Sequence, residues 1–470
     1  MNKKPNELTI AEAARALRAR KLTVRELWDA CIAEATMKNA DLNAYLEIFD
    51  TDDAAISVAQ KRIDDGDASP LCGIPLAIKD NILLDGHIAS AASKMLESYR
   101  ATYDATVIER LKEAGALFIG RTNMDEFALG GSTENSAFGV TRNPHDTTRV
   151  AGGTSGGSAV AVSAHMAIAA LGTDTGGSVR NPASYCGVVG LKPTYGAVSR
   201  SGVIAAASSF DQVGPIGKTV EDVQVLFDAI RGLDPKDSTT IPDGLYETQK
   251  KEVKTIGVPS HLFEGGLDAD MLERFHATVK GLGYVMKEIE VPSAKPALAA
   301  YYIINFAEVS TNLARFDGAR YGLAIRGATL LDDYLLSRTA GFGKESIRRI
   351  LLGTFVLSSG YIDAYYRKAD RARAQLRMEF EKAFESVDVI ATPTMPTPAF
   401  TIGEKNDPLS LYLEDVFTVL ANLTGMPAIS VPMGAVERGG KQLPVGIHLT
   451  ASHQAEERLF TVGTAVENVR

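Results

Sequence analysis

Ile74–Ile82 reads IPLAIKDNI, Ala105–Ala114 reads ATVIERLKEA and Ala116–Gly120 reads ALFIG. Strand, helix and strand in that order are the alternation of an α/β layer fold. Upstream, two capping boxes open the chain: Thr9 stands three residues before Glu12, and Thr23 three before Glu26, each ahead of apolar residues at helical spacing. Each threonine hydroxyl can accept a first-turn amide while the glutamate returns the bond. Downstream, Val220, Val223, Leu226, Phe227 and Ile230 share one helical face, with Gly232 as the stop. Residues 232–254 are polar and turn-rich, the pattern of a surface connection. Thr255–Val258 reads as a strand and residues 296–385 as mostly helical, with Tyr365, Ala369, Ala372, Leu376, Phe380 and Ala383 at helical steps. Val387–Ala391, Pro427–Pro432 and Pro444–Leu449 read as closing strands. No internal repeat or low-complexity tract interrupts the pattern.

The chain has 470 residues, which corresponds to about three domains or one large α/β domain with insertions. Apolar residues at 45% and charged residues at 23% exclude a disordered or fibrous chain. The 49 basic and 58 acidic residues leave a net charge of −9. That balance argues against a protein gripping nucleic acid over most of its surface, but not against a subunit whose partner carries RNA. Cys31, Cys72 and Cys186 are widely spaced and odd in number, which suits a reducing compartment. MNKKPNELTIAEAARALRARK has no apolar run after its lysines, so it reads as an amphipathic helix and not a signal peptide. The longest largely apolar run, Ala159–Leu171, is 13 residues, against the roughly 20 a membrane span requires. A soluble cytoplasmic protein is the expectation.

The seven histidines are scattered, with no HExxH and no Cys/His cluster, so no metal site is expected. Gly152–Gly157 has P-loop spacing, but Ser158 stands where the lysine must be. Two glycine-rich turns carry the chemistry instead. Val150–Ser158, VAGGTSGGS, runs straight into an apolar Ala/Val stretch, so it reads as a turn opening a buried helix, with a flexible linker as the alternative. Leu171–Pro182, LGTDTGGSVRNP, places two glycines before Ser178. Amides at Thr175, Gly176, Gly177 and Ser178 can converge there as an oxyanion hole; an ordinary turn is the alternative. Ser155 satisfies G-x-S-x-G, but Asn143–Val150 before it reads as a loop where a nucleophile elbow needs an apolar strand. A desolvated lysine is the other base available, and Lys79 interrupts an apolar strand. Lowering its pKa to about 7 requires destabilising the charged form by roughly 4–5 kcal/mol, which burial supplies.

GIPLAIKDNI, AGGTSGGSAVAV and LGTDTGGSVRNPASYCGVVGLKPTYG resemble, in order and content, the amidase signature family. The resemblance implies a three-layer α/β/α sandwich around a mixed sheet. It treats residues 1–470 as one amidase domain, with a helical N-terminal segment (1–70), a signature core (71–217) and a helix-rich substrate-side segment (about 296–385). It assigns Ser178 as the acyl-ester nucleophile, Lys79 as the base and Thr154 as the relay hydroxyl on a cis peptide. Most members have serine at the relay position. Threonine keeps the hydroxyl but stiffens χ1, so Ser155 is the fallback relay. Thr175, Gly176 and Gly177 supply the oxyanion amides.

NMDEFALGGSTENSAFG, PTYGAVSRSGVIAAASSFDQVGPI, NLARFDGARYG, RRILLGTFVLSSGYIDAYY and NLTGMPAISVPMG narrow the resemblance to the A subunits of glutamyl-tRNA(Gln) amidotransferases. That implies a glutaminase subunit that supplies ammonia, partnered by B and C subunits. Glu-tRNA(Gln) is held mainly by the B subunit, and no cofactor sits in this chain, because ATP and Mg2+ are used by the B subunit. The NLARFDG and SSGYIDAYY blocks are expected where substrate is chosen. Arg348 and Asp415 would hold the α-carboxylate and α-amino group of glutamine, with Tyr302 lining the pocket. A zwitterion requires one partner of each sign. Taken alone, Arg348 reads as a helix-surface charge and Asp415 as a helix N-terminal acid. A free-standing amidase, a non-catalytic scaffold subunit and a Ser155 hydrolase are the rivals.

Overall fold

Both capping boxes form: the Thr9 hydroxyl accepts the Glu12 N–H at 3.2 Å and Glu12 accepts the Thr9 N–H at 3.0 Å, with the same exchange between Thr23 and Glu26. They start α1 (Ile10–Arg18) and α2 (Val24–Leu42). The computed structural model describes residues 3–245, 252–264 and 266–469. The chain continues through β1 (Tyr45–Ile48), α3 (Asp53–Asp64), β2 (Pro75–Lys79), α4 (Thr106–Glu113), β3 (Leu117–Thr122), β4 (Arg142–Asn143) and β5 (Asp146–Val150). Next come α5 (Gly156–Ser163), β6 (Ala169–Asp174), α6 (Arg180–Cys186), β7 (Val189–Lys192), β8 (Gln212–Gly217) and α7 (Val220–Ile230). Then follow β9 (Thr255–Val258), α8 (Ala269–Gly281), β10 (Val285–Glu288), α9 (Ala297–Asn312), α10 (Leu330–Gly341), α11 (Lys344–Leu357) and α12 (Tyr366–Ala383). The chain closes with β11 (Val389–Pro393), α13 (Pro408–Tyr412), α14 (Val419–Thr424), β12 (Ala428–Arg438), β13 (Lys441–Thr450) and α15 (Glu456–Val469).

Eleven strands form one mixed sheet in the order β1-β3-β2-β6-β8-β7-β12-β13-β11-β9-β10, with helices on both sides. Every residue of β2, β6, β7, β8 and β11 is buried, which follows when both faces of a strand are covered. The apolar run Ala159–Leu171 is divided between the end of α5 and the start of β6.

Two local expectations are corrected. Residues 146–150, read as loop, form β5, which pairs with β4 in a separate ribbon. The polar sequence DTTRV suits a half-exposed ribbon, so no apolar alternation marks it. The closing strands β12 and β13 extend beyond the apolar runs to a hairpin turned by Gly439 and Gly440, both at positive φ (59° and 77°). Within the turn-rich 232–254 stretch, residues 246–251 lie outside the described residues.

The sheet's connectivity positions the site. β2 lies between β3 and β6 and is parallel to both, so the chain moves to one side of β2 and then returns to the other. Crevices open at the C-terminal ends of strands at such a switch point. Lys79 ends β2, Thr122 ends β3 and Asp174 ends β6. Among the described residues, no helix is long and apolar enough to cross a membrane.

α9 and α11 pack closely because Gly353 has no side chain: a Cβ there would lie 1.9 Å from the Phe306 carbonyl oxygen. Gly353→Ala should therefore destabilise the fold by about 1–3 kcal/mol in urea unfolding. An exposed helical position would instead gain up to about 1 kcal/mol from the same change.

Candidate active site

The Lys79 ammonium is fully buried at the end of β2. Its Nζ donates to Thr154 Oγ1 (2.8 Å), Ser155 Oγ (2.8 Å), Thr173 Oγ1 (2.9 Å) and the Thr173 carbonyl (3.2 Å). All four acceptors are neutral, so nothing at hydrogen-bond distance compensates a positive charge. Burial pushes the Lys79 pKa down to about 7, against the raising pull of Asp125, Asp174 and Asp211. The Gly153–Thr154 peptide is cis. Ser155 also donates to the Thr173 carbonyl (3.1 Å).

Ser178 sits on the second glycine-rich turn, almost buried, and its carbonyl accepts the Ser155 N–H at 3.0 Å, tying the two turns together. Its Oγ makes no hydrogen bond among the described residues. The neighbouring amides divide. Gly177 N–H, expected among the oxyanion donors, is instead committed to Asp174 Oδ1 at 3.0 Å. The amides of Thr175, Gly176 and Ser178 have no acceptor among the described residues. Both glycines are required by close approach: a Cβ on Gly176 would lie 2.3 Å from the Tyr301 hydroxyl, and one on Gly177 would lie 2.4 Å from Thr418 Oγ1.

Three buried carboxylates shape these turns. Asp174 accepts Arg180 Nη2 (2.8 Å) and Nε (3.0 Å), Asn422 Nδ2 (2.9 Å) and the Val179 N–H (3.1 Å). Burial alone would raise its pKa, but the Arg180 guanidinium holds it well below the usual carboxylate range. Arg180 also donates to the Thr418 carbonyl (2.9 Å) and to His448 Nε2 (2.7 Å). Asp125 accepts the amides of Thr133 (2.8 Å) and Asn135 (2.9 Å), and burial pushes its pKa up to about 6. Asp211 accepts the Thr175 hydroxyl (2.7 Å) and the Ala206 amide (2.9 Å), and burial raises it too to about 6. The sequence reading singles out none of the three. Asp174 and Arg180 carry the clearest signal, since opposite charges bracket the serine within one turn.

The expected substrate-side residues join one network. Tyr302 donates to Asp415 at 2.6 Å and stacks on Tyr412 with centroids 4.1 Å apart. Tyr412 donates to Glu345 (2.7 Å), which also takes Arg349 (2.8 Å) and Arg348. Arg349 is the buried member of the pair, also bonded to Asn305 (3.0 Å), whereas Arg348 is 42% exposed. Burial pushes the Asp415 pKa up to about 7. Thr418 donates to the Gly176 carbonyl (2.6 Å) and the Asp415 carbonyl (3.2 Å), so this network abuts the Ser178 turn. Within the SSGYIDAYY block Tyr361 and Tyr365 are exposed, whereas Tyr366 is half-buried against the cluster that holds Tyr301 and Tyr302.

No histidine hydrogen-bonds to Ser155 or Ser178 among the described residues, so a Ser155 elbow has no imidazole base. Nor do three or more His, Cys, Asp or Glu side chains gather to hold a metal ion among the described residues. An amine, two hydroxyls and a serine beside free amides constitute the chemistry of acyl transfer.

Residues 26–460 match the family described as Amidase. A protein of Desulfatibacillum aliphaticivorans, named as the A subunit of glutamyl-tRNA(Gln) amidotransferase, is 46% identical over 97% of this chain and 96% of its own length. One of the same name from Thermodesulfovibrio yellowstonii is 51% identical over 87% of this chain and 86% of its own. The crystal structure of the glutamyl-tRNA(Gln) amidotransferase A subunit from Thermotoga maritima superposes with a TM-score of 0.80 at 39% identity, covering 100% of this chain and 96% of that one.

Arg180→Met would leave the Asp174 carboxylate buried without its counter-charge. We expect a loss of about 3–5 kcal/mol in chemical unfolding. Adding Asp174→Asn should restore part of it.

Proposed function

The chain belongs to the amidase family, and from that premise we propose that it is the glutaminase subunit of a glutamyl-tRNA(Gln) amidotransferase, a single amidase domain over residues 1–470. The observation that carries the reading is the fully buried Lys79 amine, held at 2.8 Å from two hydroxyls beside the Ser178 turn. The names of the relatives supply the substrate and the assembly.

In this reading Ser178 Oγ attacks the side-chain carboxamide carbon of glutamine. Its proton passes through Thr154 Oγ1 to neutral Lys79, with Ser155 Oγ as the alternative relay. The amides of Thr175, Gly176 and Ser178 stabilise the oxyanion, a contribution of about 3–4 kcal/mol per donor. Gly177 serves indirectly, because its bond to Asp174 fixes the turn. Lys79 returns the proton to the departing nitrogen as the C–N bond breaks, and ammonia leaves. Water then adds to the Ser178 ester, Lys79 takes its proton, and glutamate departs with the serine restored. Arg349, the inward-facing member of the pair, would take the α-carboxylate of glutamine in place of the solvent-facing Arg348, and Asp415, oriented by Tyr302, its ammonium. The ammonia would go to a B subunit that activates Glu-tRNA(Gln) with ATP and Mg2+, in a cytoplasmic heterotrimer completed by a C subunit.

The test is glutamine-dependent conversion of Glu-tRNA(Gln) by the chain co-purified with B and C subunits. Ser178→Ala should lower glutamate release by about 10⁴-fold or more, while ammonia added directly should still support conversion. Retained glutamine-dependent conversion would refute the assignment. For the relay, Thr154→Ser should stay within about tenfold of the parent and Thr154→Val should lose about 100-fold. If Ser155→Ala shows the larger loss, the relay is Ser155.

The pH profile follows from the base. Lys79 acts only when neutral, and its pKa is about 7. kcat/KM for glutamine should therefore fall about tenfold per unit below pH 7 and level off above it. Asp415, also near 7, binds an ammonium only when ionised, so it steepens the same acid limb. Asp415→Asn should raise KM for glutamine far more than it lowers kcat.

A further inference from the structure

Leu351, Leu352 and Phe355 share one face of α11 and are 38–65% exposed. Beyond the helix, Tyr361 and Tyr365 fold back on Phe355, with ring centroids 4.4 and 5.9 Å from it and 6.1 Å from each other. Five large apolar side chains thus form one solvent-facing patch. The other face of α11 already has its partner, since Ser346, Arg349, Gly353 and Val356 are buried. α10, one two-residue link earlier, is inverted: only Ser337 and Gly341 are buried, while Leu330, Leu331, Leu335 and Leu336 are exposed. Clusters of this kind mark surfaces that are covered in the working assembly.

Charge indicates what covers the α11 patch. Residues 344–371 contain six basic and three acidic residues, a net +3 within a chain of −9. Glu345 is taken by Arg348 and Arg349, Asp363 by Arg367, and the exposed Asp370 acts on the Arg373 guanidinium. Lys344, Lys368 and Arg371 have no carboxylate partner among the described residues. Lys368 stands one helical turn beyond Tyr365, and Lys344 lies at the other end of the patch, at the start of α11. A second copy would bring the same positive rim against this one. RNA would satisfy the cations and leave the leucines wet. An apolar ridge edged with carboxylates satisfies both.

We propose that the Leu351–Phe355–Tyr365 face docks a different protein subunit, one that presents an apolar ridge flanked by Asp and Glu. Taking that subunit from the B–C pair rests on the amidotransferase reading. The patch lies outside the catalytic network, so assembly and catalysis are separable by mutation.

The experiment measures binding of the full chain to the B–C pair from the same source. Leu351→Asp with Phe355→Asp should weaken Kd by about 100-fold or more. Thermal midpoint and the isolated chain's hydrolysis of a simple carboxamide should stay unchanged. Leu351→Asp alone, at the most exposed position, should cost about tenfold and serves if the double variant misfolds. Lys368→Glu with Arg371→Glu should slow association and flatten its salt dependence. Undiminished binding by the folded apolar variants overturns the docking face and leaves the amidotransferase reading standing. A parent chain that does not bind the B–C pair overturns both. A parent homodimer dissolved by the double variant, or tRNA binding lost in it, assigns the face to another occupant and overturns the proposal.

Discussion

The surroundings of the Lys79 amine, with burial outweighing the pull of three aspartates, disfavour its charged form by about 4–5 kcal/mol net relative to water, as a pKa pushed down from 10.5 to about 7 implies. The remainder of the site is arranged around that constraint. Thr154, Ser155 and Thr173 offer hydroxyls and a carbonyl, enough to accept the two N–H groups of a neutral amine and to donate to its lone pair without stabilising a full charge. A carboxylate at the same distance would raise the amine's pKa and keep it protonated at neutral pH, so that it could not accept a proton. The aspartates that do approach, Asp125, Asp174 and Asp211, are bonded elsewhere, to backbone amides, Arg180 and Thr175. They raise the amine's pKa without forming an ion pair with it.

That arrangement depends on the sheet. Placing β2 between two parallel neighbours brings the ends of three strands and the start of α5 to one point. The two glycine-rich turns reach it from opposite sides of β2 and are joined by the Ser155 amide and the Ser178 carbonyl. Arg180 then extends the framework outward, because it bonds both Asp174 beneath the nucleophile turn and the Thr418 carbonyl beside Asp415. One buried guanidinium thereby fixes Ser178 relative to the pocket proposed for the amino acid.

Much of this is legible in the sequence. A lysine inside an apolar strand and glycine pairs before a serine are local signals, and each lies within a few residues of the place it marks. Asp174 and Arg180 fall inside the Ser178 motif as opposite charges six positions apart, a signal that they are a pair, although an irregular turn has no periodicity to say how they meet. Asp125 and Asp211 act across the fold through backbone amides, which leave no trace in spacing. The Arg348–Arg349 pair shows a further limit: neighbours on a helix point about 100° apart, so only one faces inward, and the sequence does not say which. β5 is polar, so hydrophobic alternation could not reveal it, and the outer end of the β12–β13 hairpin keeps the Val436–Leu443 pair buried among polar neighbours, too short a signal to mark a strand.

The claim on which all of this rests is that one amine titrates near neutrality inside the folded chain. A heteronuclear NMR titration of full-length protein labelled with ¹³C-lysine, with the Lys79 resonance assigned by Lys79→Arg, measures it directly. A Cε midpoint near pH 7 is the result the account requires. A midpoint above about 9, close to that of an ordinary solvated lysine, would contradict it.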